Sequence, residues 1–213
     1  MVSGDANAWQ WEQTAAHDGY RCVAGVDEVG RGPLAGPVVS AAVVLPGDFP
    51  VPGVTDSKKI SPARRDHLYD EIYAHAVTIG IGIVDPIFID RINILRAALL
   101  SMALAVTRLK PAPDYLLIDG PYKIPSDLPQ AAVVKGDSKS ISIGAASIVA
   151  KVTRDRLMAV YDQEYPHYGF AGHKGYPTRA HKDAIRTHGC CPIHRKRFKG
   201  VVMTEPRQKT NLA

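Results

Sequence analysis

The stretch "RCVAGVDEVGRGPLAGPVVSAAVVL", Arg21 to Leu45, decides how the chain is read. Two apolar runs, Cys22 to Val29 and Val38 to Leu45, are joined by a Gly/Pro-rich turn, which predicts a paired strand unit. The first run carries two adjacent acids, Asp27 and Glu28, and gives way to Gly30-Arg31-Gly32-Pro33. Burying charge in a core strand is costly unless the charge is compensated. Neighbouring residues on a regular strand also point to opposite faces, so Asp27 and Glu28 share one ligand only if the strand ends there, a break that Gly30 and Gly32 permit.

Further along, strands alternate with helices. Ser61-Pro62 reads as an N-cap and first-turn proline ahead of Leu68, Ile72 and Ala76 on one helical face. Val77 to Val84 alternates apolar residues with glycines, the pattern of a strand lying close against another backbone. Asp85-Pro86 opens a helical pattern with a core stripe at Ile92, Leu95, Leu99, Met102 and Val106. Tyr115 to Ile118 is a short buried strand ending at Asp119-Gly120, and Ala131 to Lys135 another, ending at Gly136-Asp137. Ser140 to about Tyr161 is a helix whose start, with Gly144, Ala145, Ala146, Ser147 and Ala150, lets it approach a sheet closely. The alternation predicts an α/β domain.

Asp27, Glu28, Asp119 and Asp137 thus share an address at or just past the ends of apolar strands. In open α/β sheets that address is the ligand crevice. Clustered carboxylates repel one another unless a cation neutralises them, and magnesium or manganese, with their preference for oxygen ligands, do so. A pair of such ions about 4 Å apart is the usual apparatus for phosphodiester hydrolysis. Read singly, each acid is equally an ordinary turn or cap residue. Gly30-Arg31-Gly32 offers exposed amides and a forked guanidinium to a phosphate, or is simply a tight turn. No nucleotide-binding glycine fingerprint is present.

Of 213 residues, 46% are hydrophobic and the net charge is +5. The length suits one domain with appendages, and the charge is compatible with a polyanionic partner. The most apolar run, Ala97 to Val106, is too short to cross a bilayer, and no secretory pattern opens the chain; a soluble, cytoplasmic protein is expected. The three cysteines suggest no disulfide framework, and His188, Cys190, Cys191 and His194 match no standard zinc spacing. The remaining His67, His75, His167 and His173 read as surface or packing residues.

The segments "GVDEVGRGPLAGPVVSAAVVL", "DSKKIS", "LLIDG", "KGDSKSISIGAASIVAKVTRDRLM", "HKGYPTRAH" and "HGCCPIHRKRF" occur in that order and closely resemble the ribonuclease HII family. The likeness covers roughly residues 21 to 200, leaving an N-terminal extension (1–20, with Trp9 and Trp11 as packing anchors) and a tail (201–213). It implies an RNase H-like fold: a mixed five-stranded sheet flanked by helices, with a helical C-terminal part. It also implies cleavage of the RNA strand of RNA–DNA hybrids, and nicking on the 5′ side of single ribonucleotides in duplex DNA. The expected ends are a 3′-hydroxyl and a 5′-phosphate, the cofactor manganese or magnesium, and the role ribonucleotide removal in replication and repair.

Residue by residue, the resemblance implies Asp27, Glu28 and Asp119 as metal ligands, with Asp137 completing the catalytic and metal-binding set. Gly30, Arg31, Gly32 and Tyr176 are implied as readers of the ribose and adjoining backbone. Lys58 and Lys59 are candidates for phosphate contacts, or solvated loop charges. The run His194-Arg195-Lys196-Arg197 is open to the same two readings. Arg197 stands where many members of the family have serine. A monomer is expected, and the tail shows no recognisable clamp-binding motif. A non-catalytic binding module on the same fold is the rival reading, but carboxylates facing phosphates would serve a pure binder poorly. The sister family, ribonuclease HIII, usually carries an extra N-terminal domain for which 20 residues are too few.

Overall fold

In the computed structural model, which describes residues 8–201, five strands form one mixed sheet in the order β3-β2-β1-β4-β5. The strands are β1 (Val23–Val29), β2 (Val38–Val44), β3 (Thr78–Val84), β4 (Tyr115–Asp119) and β5 (Gln130–Val133). β1 and β2 are antiparallel neighbours joined by the glycine-rich turn, β3 continues antiparallel to β2, and β4 and β5 run parallel to β1. The helices are α1 (Gln10–His17), α2 (Pro62–His75), α3 (Pro86–Ile92), α4 (Ile94–Val106), α5 (Ile141–Glu164), α6 (Phe170–His173) and α7 (Arg179–His188). No helix among the described residues is long and apolar enough to cross a membrane.

Helices cover both faces of the sheet. On one face Ala41 and Val43 of β2 pack with Leu68 and Ile72 of α2 and Ala145, Ile148 and Val149 of α5. On the other, Ala24, Val26, Leu116 and Ile118 pack with Met102 and Ala105 of α4. Each approach depends on missing side chains: a Cβ on Gly25 would overlap the backbone of Ser142 in α5, and Cβ atoms on Gly80 and Gly82 would overlap the carbonyls of Ala105 and Ser101 in α4. The glycine alternation in β3 therefore has the close-approach role its sequence implies.

Local chemistry sets the helix ends. Ser61, Asp85 and Ser140 each accept a backbone N–H with their side chains at the start of α2, α3 and α5. The stripe that reads as one helix after Asp85 is two. Asn93 takes φ +70° and both ends α3, through its N–H to the Ile89 carbonyl, and caps α4, through its Oδ1 to the Arg96 N–H at 3.1 Å. Asparagine tolerates that backbone and has a short acceptor, so one residue serves both helices. As a result Met102 and Val106 are buried, whereas Ile92, Leu95 and Leu99 are half-buried, and Ala97, Ala98, Ser101 and Ala105 make the core contacts.

The N-terminal segment is docked on the sheet domain. Trp9 packs against the cluster under α2 and α5, and Trp11 against Leu117, Val133 and Ile143. Glu12 is buried, and its Oε1 accepts the Ser140 and Ser142 hydroxyls, both at 2.6 Å, and the Ser142 N–H at 3.1 Å. A carboxylate at the first turn of α5 also meets the positive end of the helix dipole. The C-terminal part builds a core of its own from Leu34, Met158, Tyr168, Phe170, Ile185 and Ile193. The tail from 202 onward, with its expected lack of a clamp-binding motif, lies outside the described residues.

Candidate active site

β1 and β4 lie side by side with Val26 opposite Ile118, so the next residues, Asp27 and Asp119, are brought together where the β1–β4 ladder stops. Toward β2 the pairing continues through Asp27, Glu28 and Val29, and the strand does not end at the acids as expected. The break is one-sided. Past Val26 the amide of Glu28 no longer serves β4, and the Asp27 Oδ1 accepts it at 2.7 Å. Asp27 faces α5, while Glu28, paired with Ser40, sits on the α4 face and reaches the site around the open edge. One oxygen from each of Asp27, Glu28 and Asp119 then lies within 4.8 Å of the others.

Asp137 stands beside this trio. It occupies a 3-10 turn, Gly136–Ser138, entered through Lys135 at φ +57°. The Asp119 Oδ1 ties that turn in by accepting the amides of Gly136 at 2.7 Å and Asp137 at 3.4 Å. Gly144 lets the first turn of α5 pass close to the Asp137 carbonyl and to Thr55.

The electrostatics are those of a site awaiting positive charge. Burial, and then the repulsion of Glu28 and Asp119, pushes the Asp27 carboxyl well above the usual range. Glu28 is raised by burial and by Asp119, though the Arg31 guanidinium, 3.1 Å from its Oε1, works the other way. Asp137 is raised by burial and by Asp119 and Asp56, with Lys58 opposing. Three oxygens at this separation on partly unneutralised carboxylates fit the hard-donor set of a magnesium or manganese ion. Among the described residues this is the only cluster of acids, histidines or cysteines with such geometry.

Around the acids lie the other expected residues. Gly30 has φ +100°, and a Cβ there would meet the Arg154 guanidinium and, at 2.8 Å, the Pro37 carbonyl, so glycine is required. Arg31 and Gly32 are exposed, and a Cβ on Gly32 would lie 3.5 Å from the Tyr176 ring, which places the glycine turn and Tyr176 face to face. Lys58 is exposed on a 3-10 turn, Ser57–Lys59, close enough to Asp137 to favour its ionised form. Lys59 is exposed on the same turn, and no ion pair among the described residues includes it.

Several participants carry no local signal in the sequence. The Ser147 hydroxyl, in a stretch that reads as packing, lies near enough to Asp27 to favour its ionised form, and it meets the Ser57 hydroxyl at 2.9 Å, which brings the Asp56–Lys59 turn beside the first ligand. Arg154 and Arg195 are buried beneath the glycine turn. The run His194 to Arg197 is accordingly not a uniform basic surface: His194 and Arg195 are inside, Lys196 and Arg197 outside. His173 packs as expected, stacked on His181 with centroids 4.4 Å apart. His194 bonds Cys191 and His181, while His188 is exposed, so no zinc-like grouping forms among the described residues.

Comparison with known proteins identifies the family. The family model of Ribonuclease HII matches residues 24–201. A ribonuclease HII from Geobacter metallireducens is 57% identical over 198 residues, 93% of each chain. Among solved structures, ribonuclease H2 from Pyrococcus horikoshii OT3 superposes with a TM-score of 0.70 at 28% identity, covering 85% of this chain and 95% of its own. The RNase HII of Archaeoglobus fulgidus, solved in a complex with PCNA, gives 0.72 at 29% identity, covering 84% and 96%. With a family match across nearly all the described residues and the acids gathered at one strand-end crevice, the chain belongs to the ribonuclease HII family.

Proposed function

We propose that this ribonuclease H nicks duplex DNA on the 5′ side of an embedded ribonucleotide, as well as cutting the RNA strand of hybrids, and so serves ribonucleotide removal. The observation that carries the reading is the meeting of the carboxylate trio with a glycine turn and Tyr176 at one crevice. Asp27, Glu28 and Asp119 would hold a magnesium or manganese ion, with Asp137 beside them. Such an ion, when bound, supplies a Lewis acid that activates water for in-line attack on the phosphodiester and stabilises the departing 3′-oxygen.

The chain's own residues do the rest. The Glu28 amide fixes the orientation of the Asp27 carboxylate, and the nearby Ser147 hydroxyl favours its charge. Asp119 sets the position of Asp137 through two backbone amides. Arg31 shields Glu28 and presents a cation toward an incoming phosphate. The 2′-hydroxyl separates ribose from deoxyribose and both donates and accepts a hydrogen bond. Amides of Arg31 and Gly32 and the Tyr176 hydroxyl are the groups suited to engage it, and a deoxyribose would leave them unpaired. Lys58, close to Asp137, is the lysine suited to contact a neighbouring phosphate.

The test is a duplex DNA carrying one ribonucleotide, incubated with manganese, magnesium or chelator, with the nick mapped to the nucleotide. A single cut 5′ of the ribonucleotide, leaving a 3′-hydroxyl and a 5′-phosphate and absent in chelator, is expected. Cleavage that persists in chelator, or that falls equally on all-DNA duplex, overturns the reading.

A further inference from the structure

Two arginines are buried at the seam between the sheet domain and the C-terminal helical part, and neither meets a carboxylate. Arg154 and Arg195 are each 0% exposed, and no ion pair among the described residues includes either. Removing a guanidinium from water without a counter-charge costs several kcal/mol, so its donors must be used fully. They are used on backbone carbonyls.

Arg154 donates to Pro37 at 2.9 Å, Ala35 at 3.1 Å and Lys174 at 3.0 Å. Arg195 donates from its side chain to Gly30 at 2.6 Å, Arg31 at 3.1 Å, Pro33 at 2.9 Å and Gly36 at 2.9 Å, and from its amide to Leu34 at 2.8 Å. Every carbonyl from Gly30 to Pro37 except that of Gly32 is therefore taken from within. The amides divide the other way. Those of Leu34 and Gly36 donate inward, to Gly175 and Ile193. Those of Arg31 and Gly32 have no acceptor among the described residues and lie on the exposed side, beside Glu28 and Tyr176. Successive open amides over fixed positive charge make an anion-facing surface. Arg154 also grips Lys174, two residues before Tyr176, so one side chain joins the glycine turn to the turn that carries the tyrosine.

We propose that Arg154 and Arg195 are positioning residues for substrate selection: by saturating the carbonyls of the 30–37 loop from beneath, they aim the Arg31 and Gly32 amides at the sugar–phosphate and hold Tyr176 opposite. The proposal rests on the reading of that loop and Tyr176 as the ribose readers. Burial lowers both guanidinium pKa values, to about 10 for Arg154 and about 9 for Arg195, which leaves both charged at neutral pH.

Arg154→Lys and Arg195→Lys test it, because lysine keeps the charge but donates from a single atom and cannot hold three or four divergent carbonyls. On duplex DNA with one ribonucleotide, each variant is expected to raise KM about tenfold while kcat changes less than about threefold. Manganese binding to the carboxylates, followed by calorimetry, should be unchanged. A merely structural role would lower the melting temperature and the active fraction but not the KM of the folded molecules, and an unchanged KM overturns the proposal. Should the lysine variants not fold, the Asp137→Asn protein with magnesium and the same duplex provides the second measurement. The backbone amide resonances of Arg31 and Gly32 should shift on binding, and their staying fixed while the duplex is bound sinks the idea. Arg31→Pro, which removes one of the two amides, and Tyr176→Phe separate the two levels. If these leave the preference for ribonucleotide over deoxyribonucleotide intact, the ribose-reading assignment fails. If they weaken it while the lysine variants leave KM unmoved, only the positioning role fails.

Discussion

His194 and His181 meet Nε2 to Nε2 at 3.0 Å inside the C-terminal core. The Cys191 amide donates to His194 Nδ1, which makes His194 Nε2 the donor to His181, and leaves His181 Nδ1 to donate to the Tyr176 carbonyl. The chain of bonds runs in one direction and needs both rings neutral. It also fastens the backbone of Tyr176 from behind.

Acid should undo this arrangement. Burial, with the neighbouring His181, lowers the His194 pKa to about 4, against roughly 6.5 in an unfolded chain. Between those values the unfolded state binds the extra proton, so stability falls as pH drops through that window, by up to about 3 kcal/mol for this residue. The lowered His181 acts in the same sense. The raised carboxyls of Asp27, Glu28 and Asp137 act in the opposite sense, since acid neutralises charges that are buried and repel one another. Urea unfolding at pH 7 and pH 5 of the wild type and His194→Gln isolates the histidine contribution. The wild type should lose more stability between the two pH values than the variant, and equal losses would exclude the role.

Neutralising one member of the carboxylate trio should stabilise the fold and abolish cleavage. Asp27→Asn removes the repulsion among buried carboxylates, so its melting temperature without metal should exceed that of the wild type. Manganese should raise the wild-type melting temperature by mass action and leave the variant nearly unmoved. Differential scanning calorimetry with and without the ion provides both comparisons.

Ser147→Ala removes the hydroxyl that favours the Asp27 charge and the bond to Ser57. Loss of a supporting polar group beside a ligand typically costs 10- to 100-fold in metal affinity or activity. About tenfold weaker manganese affinity by titration calorimetry is expected, with the helix content by circular dichroism unchanged.

Gly25→Ala should be among the most damaging small substitutions, for its Cβ would overlap the Ser142 backbone, which cannot rotate away. Overpacking of this kind costs about 1 to 3 kcal/mol and sometimes more, and here the upper end is expected. Chemical denaturation would show it as a lowered midpoint with an unchanged slope.

Glu12→Ala tests the docking of the first helix. Oε1 is lost from three hydrogen bonds at the start of α5, and bonds to a charged acceptor are worth about 1.5 to 3 kcal/mol. A destabilisation of about 2 kcal/mol in the same denaturation experiment is expected, and none would mean that the helix contributes little.

What the sequence discloses about this fold is whatever is written in short-range chemistry. Ser61, Asp85 and Ser140 announce their helices because a cap acts within three residues. The four acids are legible as a group because each follows an apolar run and strand ends share a crevice. The two helices meeting at Asn93 escape that reading, since an apolar stripe carries no mark of a φ sign. Arg154 and Arg195 escape it more completely: an arginine in a helix or a basic run reads as solvated, and only the folded loop shows six carbonyls turned to the two guanidinium groups. Glu12 and Ser140 lie 128 positions apart, a pairing that no local pattern encodes.

Helix α5 touches nearly every part described above. Ser140 and Ser142 hold Glu12, Gly144 passes the Asp137 turn, Ser147 bonds Ser57 close to Asp27, Arg154 underlies the glycine turn, and Met158 enters the C-terminal core. From Ser140 to Met158 the rise is about 27 Å. The helix is thus a ruler along which the site is graduated. Because one rod reaches the first ligand, the glycine turn and the C-terminal core, any change that shifted it along its axis would disturb all three together, since packed elements transmit strain.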